Sequence, residues 1–262
     1  MEKLNVLTDA ELINSIGKKA MEEPAPTIET RAPSASDVTL LAGAIVDGAL
    51  CVDAEVRELN GADEEAIATA GSLGKSLATI LRRGVVRIGN RPVTEDLLDS
   101  LLAGDRDYLM LAIRRITFGD ELTTGVGCGS CGAVSNTSLK LSEDVPVRQF
   151  SGEWSWESET KLGTVTLGYY NGLTQKRLMD NLDKSPAEIS TILLAGSIQA
   201  VNGGPVIASD FARKLGMADR EKLMLEILTR NPGPRLLEVK KACEACGEYL
   251  NIPLSLASLF RL

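Results

Sequence analysis

Asp105-Arg106-Asp107-Tyr108-Leu109-Met110-Leu111-Ala112-Ile113 and Asp219-Arg220-Glu221-Lys222-Leu223-Met224-Leu225-Glu226-Ile227 are two writings of one phrase, 114 positions apart (219 − 105). The match extends outward in both directions. Upstream, Thr79-Ile80-Leu81 answers Thr191-Ile192-Leu193, Pro92-Val93 answers Pro205-Val206, and Asn60-Gly61 answers Asn171-Gly172. Downstream, Cys128-x-x-Cys131-Gly132 answers Cys243-x-x-Cys246-Gly247. Five matches in one order, with the spacing drifting only between 111 and 115, read as an internal duplication.

Each copy is patterned as strands, then helices, then a cysteine hairpin. Val38 to Leu59 carries short strand-like runs. Ala62 to Arg83 has helical spacing through Ile67, Leu73, Leu77, Ile80 and Leu81. Thr94 reads as an N-cap for a short helix, and Asp105 as the cap of the next. In the second copy Trp154, Trp156 and Val165 to Tyr170 suggest strands. Helices are expected near 174–183, 187–200, 209–215 and 219–229. Asn202-Gly203-Gly204-Pro205 and Asn231-Pro232-Gly233-Pro234 mark turns. The fold class is α+β, with two pseudo-symmetric lobes at 36–146 and 147–262, co-folded as one body and each ending in a cysteine hairpin. Residues 1–35 form an N-terminal arm outside both copies. It has a short amphipathic helix pattern over Asp9 to Met21 and linker composition from Glu22 to Ser36. A disordered tail and an arm that orders on a neighbouring subunit are both open readings.

The cysteines carry the chemistry. Cys-x-x-Cys-Gly puts two sulfurs on one tight turn, and glycine lets the backbone curl beneath them. Four thiolates make a closed, tetrahedral structural zinc site. Each pair lies between strand-like runs, Leu122–Val126 and Val134–Leu141 in one copy, Leu236–Val239 and Tyr249–Leu256 in the other. That is a zinc-ribbon layout. The 111 residues between Cys131 and Cys243 exceed what a compact ribbon needs, and the duplication accounts for them: an approximate twofold relation between lobes lets both hairpins meet over one ion. Cys128, Cys131, Cys243 and Cys246 are thus the expected ligands of one structural Zn2+ per chain. Dithiol redox chemistry is a second reading, disfavoured because neither motif opens a helix after a strand. Disulfides and unliganded thiols are the third. Cys51 reads as a small core residue.

The rest of the composition bears on what the chain does not do. The 262 residues include no histidine, which removes Ser-His and Cys-His nucleophiles and histidine-bound metals. No catalytic residues are expected, and no small-molecule substrate. A net charge of −8 works against binding nucleic acid through phosphates. The arginine pairs Arg82-Arg83 and Arg114-Arg115 read as solvated helix faces. No apolar run is long enough for a membrane span, and the start lacks a secretory pattern, so an intracellular product is expected. The glycine-rich run from Gly125 to Gly132 lacks the lysine and hydroxyl residue of a phosphate-binding loop. Asp63-Glu64-Glu65 suits the first turn of a helix. Trp154 and Trp156 alternate on one strand face and fit a contact surface or the core.

The segment from Leu101 to Asp120 (LLAGDRDYLMLAIRRITFGD), running into Cys128-Gly129-Ser130-Cys131, resembles the T-even-type baseplate family, the hub and hub-assembly proteins of contractile-tailed phages. Val56 to Glu65 (VRELNGADEE) resembles that family's strand-to-helix transition. The likeness runs over most of the chain after about residue 36. Tyr169 to Thr174 departs from it, and the N-terminal arm has no counterpart. The resemblance implies a non-enzymatic structural or assembly role in the baseplate. It implies other tail proteins as partners in a multi-subunit assembly, and a place in the virion tail after assembly in host cytoplasm. A zinc-ribbon adaptor of a cellular complex is the alternative.

Overall fold

The computed structural model describes residues 35–260 and Leu262. The arm helix expected at 9–21 and the linker up to residue 34 lie outside the described residues. Ala35 and Ser36, read as linker, open the first strand.

Asp47 and Gly48 both take positive φ (51° and 81°). A two-residue turn needs that pair of angles to match strand twist, and it joins β1 (Ala35–Val46) to β2 (Ala49–Arg57). Helix α1 (Gly61–Ala68) starts at Asn60, whose side chain accepts from the N–H groups of Ala62 and Asp63 while Asp63 returns a bond to Asn60. The single helix expected from Ala62 to Arg83 is two, because Gly71 turns the chain at φ 79° and Ser72 caps a new helix, α2 (Leu73–Gly84). That helix runs straight into β3 (Val85–Ile88), followed by β4 (Arg91–Pro92). Thr94 caps α3 (Glu95–Ser100), as its position suggested. Helix α4 (Ala103–Phe118) begins two residues before Asp105. Leu102 holds the cap position, and the Asp105 carboxylate is used elsewhere. The first cysteine hairpin is β5 (Glu121–Gly127) and β6 (Val134–Lys140), followed by α5 (Leu141–Asp144) and β7 (Val147–Arg148).

The second half of the chain begins with another hairpin. β8 (Ser155–Thr160) and β9 (Gly163–Gly168) form a hairpin; Asn171 caps α6 (Gly172–Met179). Ser185, with Glu188 in a capping box, starts α7 (Pro186–Ser197), which runs straight into β10 (Ile198–Val201). Asn202 and Gly203 (φ 49° and 72°) turn the chain back. Then come α8 (Ala208–Lys214), α9 (Met217–Arg230) and β11 (Gly233–Pro234). The strand expected at Leu236–Val239 starts as a 3-10 turn (Leu236–Glu238), and pairing begins at β12 (Lys240–Ala242) against β13 (Tyr249–Asn251). The last element is α10 (Leu256–Phe260).

The result is a mixed α/β architecture of several small sheets with ten helices among the described residues. The strand orders are β1-β2-β3-β4 and β10-β9-β8, with two-stranded pairs β5-β6, β12-β13 and β7-β11. The described residues cluster as one compact unit. Within it are two cores. The first gathers Ile80, Ile88, Leu109, Ile113 and Leu139, each contributing about 1.5–3 kcal/mol by burial. It also takes in Cys128, Cys243, Leu250, Ile252 and Leu259, so both cysteine hairpins and α10 rest on the first half of the chain. The second core packs Trp156, Val165 and Leu167 against Leu194, Leu223 and Ile227, and draws in Ala42 and Leu102 from the first half. Trp156 is therefore core, while Trp154 precedes its strand, is half exposed and stacks on Phe150 at 4.8 Å. Arg114, read as a solvated arginine, is buried, with its guanidinium 4.8 Å from the Phe118 ring.

Candidate metal centre

Each cysteine hairpin builds the same knuckle. In the first, Cys128 N–H donates to Ala133 O (2.8 Å) and Gly132 N–H donates to Cys128 O (2.9 Å). In the second, Cys243 N–H donates to Glu248 O (2.7 Å) and Gly247 N–H donates to Cys243 O (2.8 Å). Closing that loop requires left-handed backbone at Gly132 and Gly247 (φ 72° and 76°), which explains the glycine after each second cysteine. In both knuckles the first cysteine is buried and the second exposed.

The two knuckles face each other. All four sulfurs lie within 4.8 Å of one another, with Cys128 Sγ 3.7 Å from Cys246 Sγ and Cys131 Sγ 3.8 Å from Cys243 Sγ. Each short contact pairs the first cysteine of one knuckle with the second of the other, a locally twofold arrangement. Those separations are far longer than the roughly 2.05 Å of a disulfide. A tetrahedral zinc with Zn–S of about 2.3 Å has edges near 3.8 Å, so the cluster has the dimensions of a Zn-thiolate site. Its electrostatics fit too. The backbone N–H groups of Cys131 and then Ser130 hold the Cys128 thiol down to about 6. At Cys246 the Glu248 amide pulls the same way, but the neighbouring sulfurs outweigh it and push that thiol up to about 12. Four sulfurs this close resist losing four protons unless a dication sits among them. The cluster is compatible with a zinc site.

Support beneath the site comes from both halves. Lys241 Nζ, on β12, reaches both Asp144 oxygens at 2.7 Å and so ties the second hairpin to the helix that follows the first. Cys51, the fifth cysteine, is not part of this cluster. It is half-buried beneath Gly89, where a Cβ would meet its sulfur at 2.8 Å.

Residues 85–210 match the family model described as T4 bacteriophage base plate protein. The match supports a T4-type phage baseplate protein. It bears out the likeness read from Leu101 to Asp120 and includes Cys128 and Cys131, while Cys243 and Cys246 lie beyond it. No curated protein and no solved structure matches the chain. No helix among the described residues is long and apolar enough to cross a membrane.

A second constellation, at the junction of the two halves, was not singled out by sequence. Asp105 is fully buried and accepts from three backbone N–H groups of β1: Leu41 at 2.6 Å, Ala42 at 3.2 Å and Gly43 at 3.0 Å. A bulge between Thr39 and Ala44, with Gly43 at φ 87°, frees those donors from the ladder. Burial raises the Asp105 carboxyl above its ordinary value, against the pull of these bonds. Arg106, also buried, donates to Leu98 O (2.8 Å), Asp99 Oδ1 (3.1 Å) and Gln175 Oε1 (2.8 Å). Asp219 accepts from Lys161 N–H (3.1 Å), and Arg220 donates to Ala212 O (2.5 Å), 114 positions after Leu98. The only sequence signal was the Asp-Arg pair itself.

Proposed function

We propose that this chain is a non-enzymatic structural or assembly component of a contractile phage tail baseplate, at its hub or wedge. It works there with other tail proteins in the virion after assembly in host cytoplasm. The observation that carries this reading is the baseplate family match over residues 85–210. Absence of histidine and a cluster of four cysteine sulfurs agree with a scaffold, since four thiolates would leave zinc no position for substrate or water. Disrupting the gene in its phage tests it: tails should fail to assemble a baseplate, and complementation in trans should restore them. Normal, infectious tails without the protein would refute the role. Mass spectrometry of purified tails distinguishes a resident component from an assembly factor.

Within that role, the two lobes are copies of one unit, and zinc on Cys128, Cys131, Cys243 and Cys246 ties them. The support is recurrence of detail at nearly constant spacing. Caps Asn60 and Asn171, caps Ser72 and Ser185, the arginine bonds to Leu98 O and Ala212 O, and the glycine-closed knuckles all recur. Such features are set by backbone hydrogen bonding, and a chance likeness in hydrophobic pattern would not reproduce them. The lobes take in 36–146 and 147–262, with residues 1–35 as an arm.

A further inference from the structure

One lobe's surface is covered inside the chain, and its counterpart on the other lobe is bare. The covered surface is the corner between α3 and α4. Gly172 N–H donates to Leu101 O (2.9 Å) and Ala103 N–H donates to Tyr170 O (3.1 Å), so the β9–α6 loop adds to the corner backbone to backbone. Helix α6 follows onto α4. Gln175 bridges Arg106 and Asp107 at 2.8 and 2.7 Å, and Lys176 pairs with Asp99 at 2.9 Å and Glu95 at 2.7 Å. Leu102, Ala103 and Gly104 are buried as a result.

Their counterparts 114 positions later, Gly216, Met217 and Ala218, are all exposed, Met217 at 88%. Further along α9, beyond exposed Glu221, Leu225 and Leu228 are exposed as well. The covering piece has a bare counterpart as well. Tyr170-Asn171-Gly172 and α6 correspond, 111 positions earlier, to Leu59-Asn60-Gly61 and α1. Gly172 is buried, yet Gly61 is exposed, with Glu64 and Glu65 exposed behind it.

We propose that the β2–α1 loop and α1 of a second copy of this chain cover the α8–α9 corner, repeating between chains the contact made within one. Charge favours the pairing. Where Lys176 faces Asp99, Glu65 stands opposite Arg213, whose side chain is 69% exposed beside Asp210, with exposed Lys214 next to it. The signs are exchanged and the attraction is kept. Glu64 takes the place of Gln175, where it can accept from Arg220 as Gln175 does from Arg106, and this attraction offsets the like charge of Glu221. Such a contact is heterologous, so copies add head to tail into a ring or an open chain. The inference rests on the duplication proposed above.

The test is sedimentation velocity on the full, zinc-loaded chain at up to about 100 μM, a range that reveals micromolar contacts. Wild type should form concentration-dependent species larger than a dimer. Met217→Asp, on one face, and Glu65→Lys, on the other, should each weaken association by about tenfold or more, with circular dichroism and zinc content unchanged. Mixing the two variants should give dimers that grow no further, since each keeps one intact face. Combining Glu65→Lys with Arg213→Glu in one chain should restore association. Monomers at every concentration would overturn the inference, as would association indifferent to both variants or a mixture that forms no dimers. A zinc-loaded chain that assembles into tails yet stays monomeric overturns this inference alone and leaves the baseplate role standing.

Discussion

Replacing Asp105 with alanine strands the three N–H groups that its carboxylate gathers from β1. Leu41 is half-buried and can recruit water, but Ala42 and Gly43 are buried and cannot. Each buried, unsatisfied donor costs about 1–3 kcal/mol, and removing a buried carboxylate returns part of that. A net loss of about 3 kcal/mol follows, a large fraction of the roughly 5–15 kcal/mol that holds a domain folded. With a urea dependence of about 2–3 kcal/mol per molar, the unfolding midpoint should fall by roughly 1 M. Asp219→Ala is the internal control. Its one backbone bond goes to the exposed Lys161 N–H, which water can satisfy, so it should cost under about 1 kcal/mol. The measurement is equilibrium urea unfolding of both variants, followed by tryptophan fluorescence. Equal losses at the two positions would refute the reasoning, because the cost arises from buried donors and not from the Asp-Arg phrase.

Three further outcomes are expected. Metal analysis should find about one zinc per chain, and Cys128→Ser or Cys243→Ser should lose it and melt the hairpins, since structural zinc contributes on the order of 10 kcal/mol; a stable, metal-free wild type would sink the site. At Asp107, burial, opposed by the Gln175 amide and Arg106, raises the carboxyl from 3.8 to about 6. A raised folded value means the stabilising protonated form is complete below about 4 and lost as pH rises through about 6. At about 1.36 kcal/mol per pH unit the penalty approaches 3 kcal/mol, cut to about 1–2 because the residue keeps some solvent contact. Asp107→Asn should therefore match wild type at pH 4 and exceed it by that amount at pH 7.5 in thermal melts, and a constant difference across pH would contradict this. Gly104→Ala should destabilise by several kcal/mol, because a Cβ there collides with the Pro232 carbonyl. Ala218→Gly, at the corresponding exposed position, should cost only about 0.5–1 kcal/mol; similar melting shifts for the two would be the contrary result.

What was legible in the sequence was whatever short-range geometry dictates. Asn60, Thr94 and Asn171 sit at helix starts because a side-chain oxygen must satisfy the first free N–H groups. Cys-x-x-Cys-Gly could be read as a knuckle because a left-handed closing residue is needed two positions after the turn's centre. What could not be read was long-range use of the same residues. Asp105 looks like a cap, but a bulge 62 to 64 residues earlier supplies donors that outcompete its own helix. Arg114 looks solvated until Phe118, one turn on, and the fold around it take it out of water. The break at Gly71 was hidden because apolar spacing continues across it.

On the proposed duplication, the junction between the two halves shows how two copies of one unit need not be related symmetrically. At the cysteine cluster the pairing is reciprocal, Cys128 with Cys246 and Cys131 with Cys243. At the α3–α4 corner it is not: Leu101 to Gly104 of the first lobe receive Tyr170 to Gly172 and Pro232-Gly233 of the second, while Gly216 to Ala218 stay in water. The two relations coexist because the hairpins leave their lobes by different routes. β5 follows α4 after two residues, Gly119 and Asp120, whereas Asn231 to Val239, with β11 and a 3-10 turn, separate α9 from β12. That longer route carries Pro232-Gly233 onto Gly104 and delivers the second hairpin to the first lobe's core. A closed reciprocal corner would bury both copies and end assembly at one chain. The asymmetric one leaves a donor face at α1 and an acceptor face at α8–α9, which is the condition for adding another subunit of the same kind.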